Sequence, residues 1–262
     1  MNKNELTYFL DSLKNYLIID NLSNENFGLA GKAGTALTFF ELAREDSFFE
    51  DYAFRFLQES MAFVNNDFSY RGSIGIGIIL DYLIENKFID ADFSELFGEY
   101  HDQIVEQVVS GTFLKNNIFD YLLYFLSLSE ILPAQKRECL DLLYATVNTL
   151  SIKDDFELCK KGHFIEMNYK EIIPFCPQNG YNSNPVFVEN ANDKINPNLL
   201  IDNVSTLFQS IMSGSNVDEP LNKIFHMDLN LNERYFNLAA CRLLILSKNL
   251  KKVPSNLLFF FY

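Results

Sequence analysis

Three soft metal ligands are the residues of this chain whose types and spacing could do chemistry. Cys159, His163 and Cys176 fall within eighteen positions of one another. Thiolate and imidazole together suit zinc, and bound zinc lowers the pKa of a thiol so that the thiolate can attack. Cys159 and His163 are four apart, so on a helical turn they share a face. The same residues also have a plain reading. Free cysteine is commonly a buried hydrophobe, which makes Cys159 and Cys176 packed or loop thiols and His163 a loop residue. His101 stands beside Asp102 on an amphipathic stretch and reads as exposed. His226, between Phe225 and Met227, reads as a satisfied, semi-buried histidine. Cys241 lies in an apolar run and reads as core. Gly28, Gly31, Gly34, Gly72 and Gly75 have no preceding strand and no GKS or GKT ending, so a phosphate loop is not indicated. Asp and Glu abound, but no pair has the spacing and context of glycoside hydrolysis.

The elements that must position these residues are helices. Asn26 to Arg44, NFGLAGKAGTALTFFELAR, is a glycine turn running into an apolar helix. The design returns at Phe68 to Asn86, FSYRGSIGIGIILDYLIEN, where Gly72 and Gly75 repeat Gly31 and Gly34 after 41 positions. Self-similarity at that period marks an array of helical hairpins. Side-chain-free positions let another backbone approach closely. Ile118-Phe119-Asp120-Tyr121 and Asn237-Leu238-Ala239-Ala240 read as weaker, eroded copies of the turn.

Polar-faced helices alternate with nearly all-apolar ones. Leu6, Phe9, Leu10, Leu13, Tyr16 and Leu17 make the first helix amphipathic. Apolar helices are expected from Gly31, Gly72 and Asn117, and again from about Glu233 to Lys248. A helix that is apolar all round is buried. The economical arrangement is an inner ring of buried helices and an outer ring of amphipathic ones. Residues 154–197 break the rhythm with four prolines and short β-like pieces at 164–165, 172–173 and 186–188. This reads either as a functional loop or as a degenerated repeat. The expectation is one all-α domain over 1–262, short or incomplete as a double ring, with one irregular insertion around 154–197.

Net charge is −14, which repels backbone phosphates and disfavours nucleic acid as a partner. A basic peptide suits the surface better, although acidity mostly serves solubility. Four scattered cysteines in 262 residues are no disulfide scaffold. No stretch reaches the roughly 18 apolar residues that span a membrane. The N-terminal residues lack a signal peptide's apolar core, so a reduced, cytoplasmic chain is expected. The final LLFFFY is too short to span and is expected to pack into the fold.

The segments GLAGKAGTALTFFELAR at 28–44 and RGSIGIGIILDYLIENKFID at 71–90 resemble the lanthionine synthetase C-like family. The resemblance covers about 65 residues closely. It implies an α/α toroid with the active site at one mouth of the inner ring. It also implies a role in peptide modification of the lanthipeptide type, with a precursor peptide or a modification enzyme as partner. Family enzymes use zinc to add a cysteine thiol to a dehydrated Ser or Thr. Their ligands lie in a Trp-Cys-x-Gly turn and an adjacent Cys-His pair. This chain has no Trp and no adjacent Cys-His. Its nearest counterparts are Phe175-Cys176-Pro177 and Cys159-Lys160-Lys161-Gly162-His163. The resemblance therefore leads to a non-catalytic, peptide-binding pseudoenzyme without a cofactor. The alternative is a zinc-dependent cyclase with a rearranged ligand set at Cys159, His163 and Cys176.

Overall fold

A computed structural model of the chain describes residues 3–23, 27–65, 67–129, 133–149, 156–169, 200–227 and 236–262. These residues are all-α, with no strand among them. The helices are α1 (Lys3–Ser23), α2 (Lys32–Ala43), α3 (Glu50–Met61), α4 (Ser73–Glu85), α5 (Phe93–Ser110), α6 (Ile118–Ser127), α7 (Pro133–Thr149), α8 (Phe156–Asn168), α9 (Leu200–Ser213), α10 (Asp218–His226) and α11 (Phe236–Lys248). Short 3-10 turns precede α3 and α6, and a longer one, Ser255–Phe261, follows α11. No helix among the described residues is long and apolar enough to cross a membrane.

The expected split into buried and amphipathic helices is present. Every residue of α11 from Phe236 to Leu246 is buried, as are Ser73 to Leu83 of α4 and Ile118 to Leu126 of α6. Around them α1, α3, α5 and α7 bury one face each. In α7 that face is Cys139, Leu143 and Val147, spaced by four. Helix α2 packs on α4, α4 on α6, α6 on α8, and α11 on both α9 and α2. The gap between α8 and α9 is bridged by the rings of Phe164 and Phe208, 6.2 Å apart. The Ser255–Phe261 turn lies inside this succession, with Leu257 to Phe261 all buried. The expectation that LLFFFY packs into the fold is met.

The 41-residue repeat is visible bond by bond. The Gly31 N–H donates to the Gly28 carbonyl, and that of Gly72 to the Ser69 carbonyl. Thr35 donates to Gly31 O just as Ile76 donates to Gly72 O. The N-capping glycines adopt one backbone shape, φ −136° and ψ −128° at Gly31 and φ −103° and ψ −134° at Gly72. A Cβ at Gly34 would stand 2.1 Å from the Leu29 carbonyl oxygen, and one at Gly75 2.0 Å from that of Tyr70. Each helix thus begins with its preceding turn folded down onto a glycine. The two turns also join each other. The Leu29 N–H donates to Arg71 O at 3.1 Å, an approach open only because Gly28 has no side chain.

Several expectations need correction. The first part of the 154–197 stretch is helix α8, not an irregular insertion, and Phe164-Ile165 is helical rather than β-like. Its inward positions are 158, 162, 165 and 169, a helical spacing. Gly162 interrupts the apolar stripe in sequence because Phe119 fills the space where its side chain would be. Residues 170–199, including the other two β-like pieces, lie outside the described residues. Helix α10 was not expected; Pro220, Leu221 and Ile224 form its buried stripe. The two eroded turns do not superpose on the first pair. Residues 118–121 and 237–240 are already helical, whereas Gly28 to Ala30 precede their helix.

Candidate functional site

The chemistry-bearing residues that the fold brings together lie where the inner helices begin. Asp120 is in the first turn of α6 and is 2% exposed. A carboxylate so deep must be paired or hydrogen-bonded. Its Oδ2 accepts the Tyr70 backbone N–H at 3.0 Å. Its Oδ1 accepts the Lys161 ammonium of α8 and the Tyr262 hydroxyl, the latter at 2.9 Å. One side chain thereby ties the second glycine turn, helices α6 and α8, and Tyr262. The Lys161 ammonium also lies 5.4 Å above the Tyr262 ring, and the Tyr70 ring meets Tyr262 edge to face at 4.9 Å.

Two further donors reach the 255–262 segment. The Tyr70 hydroxyl donates to the Phe259 carbonyl at 2.7 Å, and Arg242 Nε of α11 donates to the Phe260 carbonyl at 2.7 Å. Consecutive peptide carbonyls are thus held by Tyr70 and Arg242, two side chains that lie close to each other. The aromatic side chains are held as well. Phe261 stacks on Phe208 at 4.6 Å, Phe259 meets Tyr82 at 5.8 Å, and Phe164 meets Tyr262 at 5.5 Å. Burial pushes the Tyr70 phenol up to about 12. Burial first, and then the Asp120 charge, push the Tyr262 phenol well above its ordinary value. Both therefore stay protonated at neutral pH, and in this arrangement both donate.

The residues singled out from sequence fare differently. Cys159 and His163 do lie one turn apart on α8, and His163 is half-buried. Cys176 lies outside the described residues. Among the described residues no group of three His, Cys, Asp or Glu is gathered closely enough to hold a metal. His101 is not exposed as expected. It is half-buried, with Nδ1 3.0 Å from the Tyr124 hydroxyl, and burial lowers its pKa. His226 is exposed rather than semi-buried. Cys241 is core, as expected, 1% exposed and 3.6 Å from the Thr35 hydroxyl. Burial raises the thiol pKa of Cys241, and that of Cys139, to about 11. Neither is a thiolate at neutral pH, so neither is suited to nucleophilic attack.

The sequence reading missed Tyr70, Asp120, Lys161, Arg242 and Tyr262 as a group. Asp120 and Arg242 carried a signal: each is a lone charge inside an otherwise apolar helix. Such a residue is satisfied inside the fold, and the question of what satisfies it points straight to the centre. Asp81 has the same signature in α4, where its carboxylate accepts the Ser129 backbone N–H at 3.0 Å and fixes the turn after α6. Lys32, at the start of α2, is a fourth buried charge, 6% exposed, paired with Glu59 and 5.0 Å above the Phe27 ring. These two contacts brace helices and lie away from the segment.

The chain matches no family model, no curated protein and no solved structure.

Proposed function

We propose that this chain is a divergent lanthionine synthetase C-like protein, an α/α toroid that has no catalytic role and binds a peptide or protein partner in peptide modification of the lanthipeptide type. The observation that carries the reading is the segment at the centre. Two successive backbone carbonyls, one phenol and two phenylalanine rings, those of Phe259 and Phe261, are gripped by side chains of the second glycine turn and the surrounding helices. That is a set of contacts for holding a peptide. The 41-residue repeat of glycine turns, and the succession of buried helices closed by α11 against α2, support the toroid. A specific feature keeps the zinc-dependent cyclase as a second reading: Cys159 and His163 do share a helix at one-turn spacing, beside the Lys161 that reaches the site.

The test is incubation of the purified chain with a synthetic Cys-containing peptide carrying dehydroalanine, with zinc in the buffer. Fluorescence anisotropy reports binding, and alkylation with mass spectrometry counts the free thiols. Saturable binding with every thiol still alkylatable is the expected result. Loss of thiols together with about one zinc per chain would transfer the reading to the cyclase. Absence of binding, both to the intact chain and to a chain cut within 249–254, would remove the peptide-modification role altogether.

A further inference from the structure

We infer that residues 255–262 are a tethered occupant of the central site, and that the ligand class this site takes is a short aromatic peptide whose tyrosine phenol seats against Asp120 and Lys161. This rests on the peptide-binding reading and deepens it. Among the described residues, the hydrogen bonds joining the segment to the ring all involve side chains. They come from Tyr70 and Arg242 to its carbonyls, from its Tyr262 hydroxyl to Asp120, and from its Asn256 amide to Asn86 Oδ1. Its backbone bonds at Leu257 and Tyr262 run to Pro254 and Phe259, next to or within the segment. A segment held this way can leave without breaking any helix's backbone ladder. It is tied to α11 through the turn at 249–254, where Lys251 and Lys252 are exposed. The donors select for peptide rather than for this sequence alone, because Tyr70 and Arg242 read carbonyls that every peptide has. Selectivity comes from the aromatic positions: Phe208 stacks on one ring, and Asp120 accepts the terminal phenol. A tether this short keeps the segment at an effective concentration on the order of millimolar. A free peptide must outcompete it, so the site is autoinhibited.

The experiment places a protease site in the 249–254 turn of the full chain and cuts it. A fluorescein-labelled SNLLFFFY peptide is then titrated in while circular dichroism follows the helices. The expected result is retained helicity and saturable binding to the cut protein, with at least about tenfold weaker binding to the uncut protein. Replacing the peptide's tyrosine by alanine, or making Asp120→Ala in the protein, should weaken binding by about tenfold. Loss of helicity once the cut segment dissociates, or equal binding to cut and uncut protein, or no binding at all, would overturn the inference. A measurement on the unmodified chain stands beside it. Amides of 257–262 should exchange with solvent through an opening faster than that of α4. Exchange at the rate of α4 would make the segment ordinary core. Since the probe is the chain's own sequence, failure of a dehydrated precursor to bind would sink the lanthipeptide role and leave this test intact.

Discussion

Replacing Asp120 by Asn keeps the side chain's shape and its acceptor for the Tyr70 N–H, but removes the charge facing Lys161. Lys161 is 28% exposed, so solvent weakens the pair. The expected loss is about 1–3 kcal/mol in urea unfolding, more than a surface pair would give. Asp120→Ala costs more, because the Tyr70 N–H and the Tyr262 hydroxyl then lose their acceptor. The buried phenol of Tyr70 makes a pH prediction. Its pKa is raised on folding, from 10 to about 12, so the stability it contributes is fully present below pH 10. That stability is lost as pH rises through about 12, because the unfolded chain releases the proton first. The urea midpoint should therefore fall over that window, and Tyr70→Phe should lessen the fall. These residues were hard to find in the sequence for a physical reason. Cysteines and histidines stand out in a sequence because their chemistry is local to the side chain. The group that assembles is one carboxylate, two phenols, an ammonium and a guanidinium from five separate places. Its meaning lies in what it surrounds.

At the scale of elements, the glycine turns make a sharp contrast with a glycine elsewhere. Gly75→Ala puts a Cβ 2.0 Å from a backbone oxygen, so the turn must move. The expected cost is about 3 kcal/mol or more, seen as a large drop in Tm. Gly98 lies within α5 with nothing nearer to its Cβ position than Ser94 Cβ at 3.8 Å. Gly98→Ala should raise stability by about 0.5–1 kcal/mol through helix propensity. Only the first class of glycine repeats at 41 positions, and that is why the architecture was legible: close approach restricts residue choice, and restriction leaves a pattern. The α8 helix was not legible, because a glycine under Phe119 replaces the apolar residue that a periodicity count needs. For the 255–262 segment the energies nearly balance. Burying each of its large apolar side chains contributes about 2 kcal/mol, and ordering each residue's backbone costs about 1–2 kcal/mol. An element so balanced can be detached without its loss dismantling the helices around it.

For the whole molecule, the contact that closes the succession of helices joins distant parts of the sequence. Thr35 of α2 faces Cys241 of α11, 206 positions later. Ordering so long a loop is slow, so refolding should be slower than for a local helical bundle of this size. A chain stopped at residue 227 lacks both α11 and the central segment. It is expected to keep helical circular dichroism while binding a hydrophobic dye and unfolding without a sharp urea transition. A sharp transition there would mean that the remaining helices hold together without α11. The position of the segment has one more consequence, for synthesis. Leu257 to Phe261 are translated after all the helices they lie among. Until they emerge, Tyr82 and Phe208 lack the rings of Phe259 and Phe261 that they pack against. The surrounding helices are thus made before the residues that fill the space between them, and their packing is completed only afterwards.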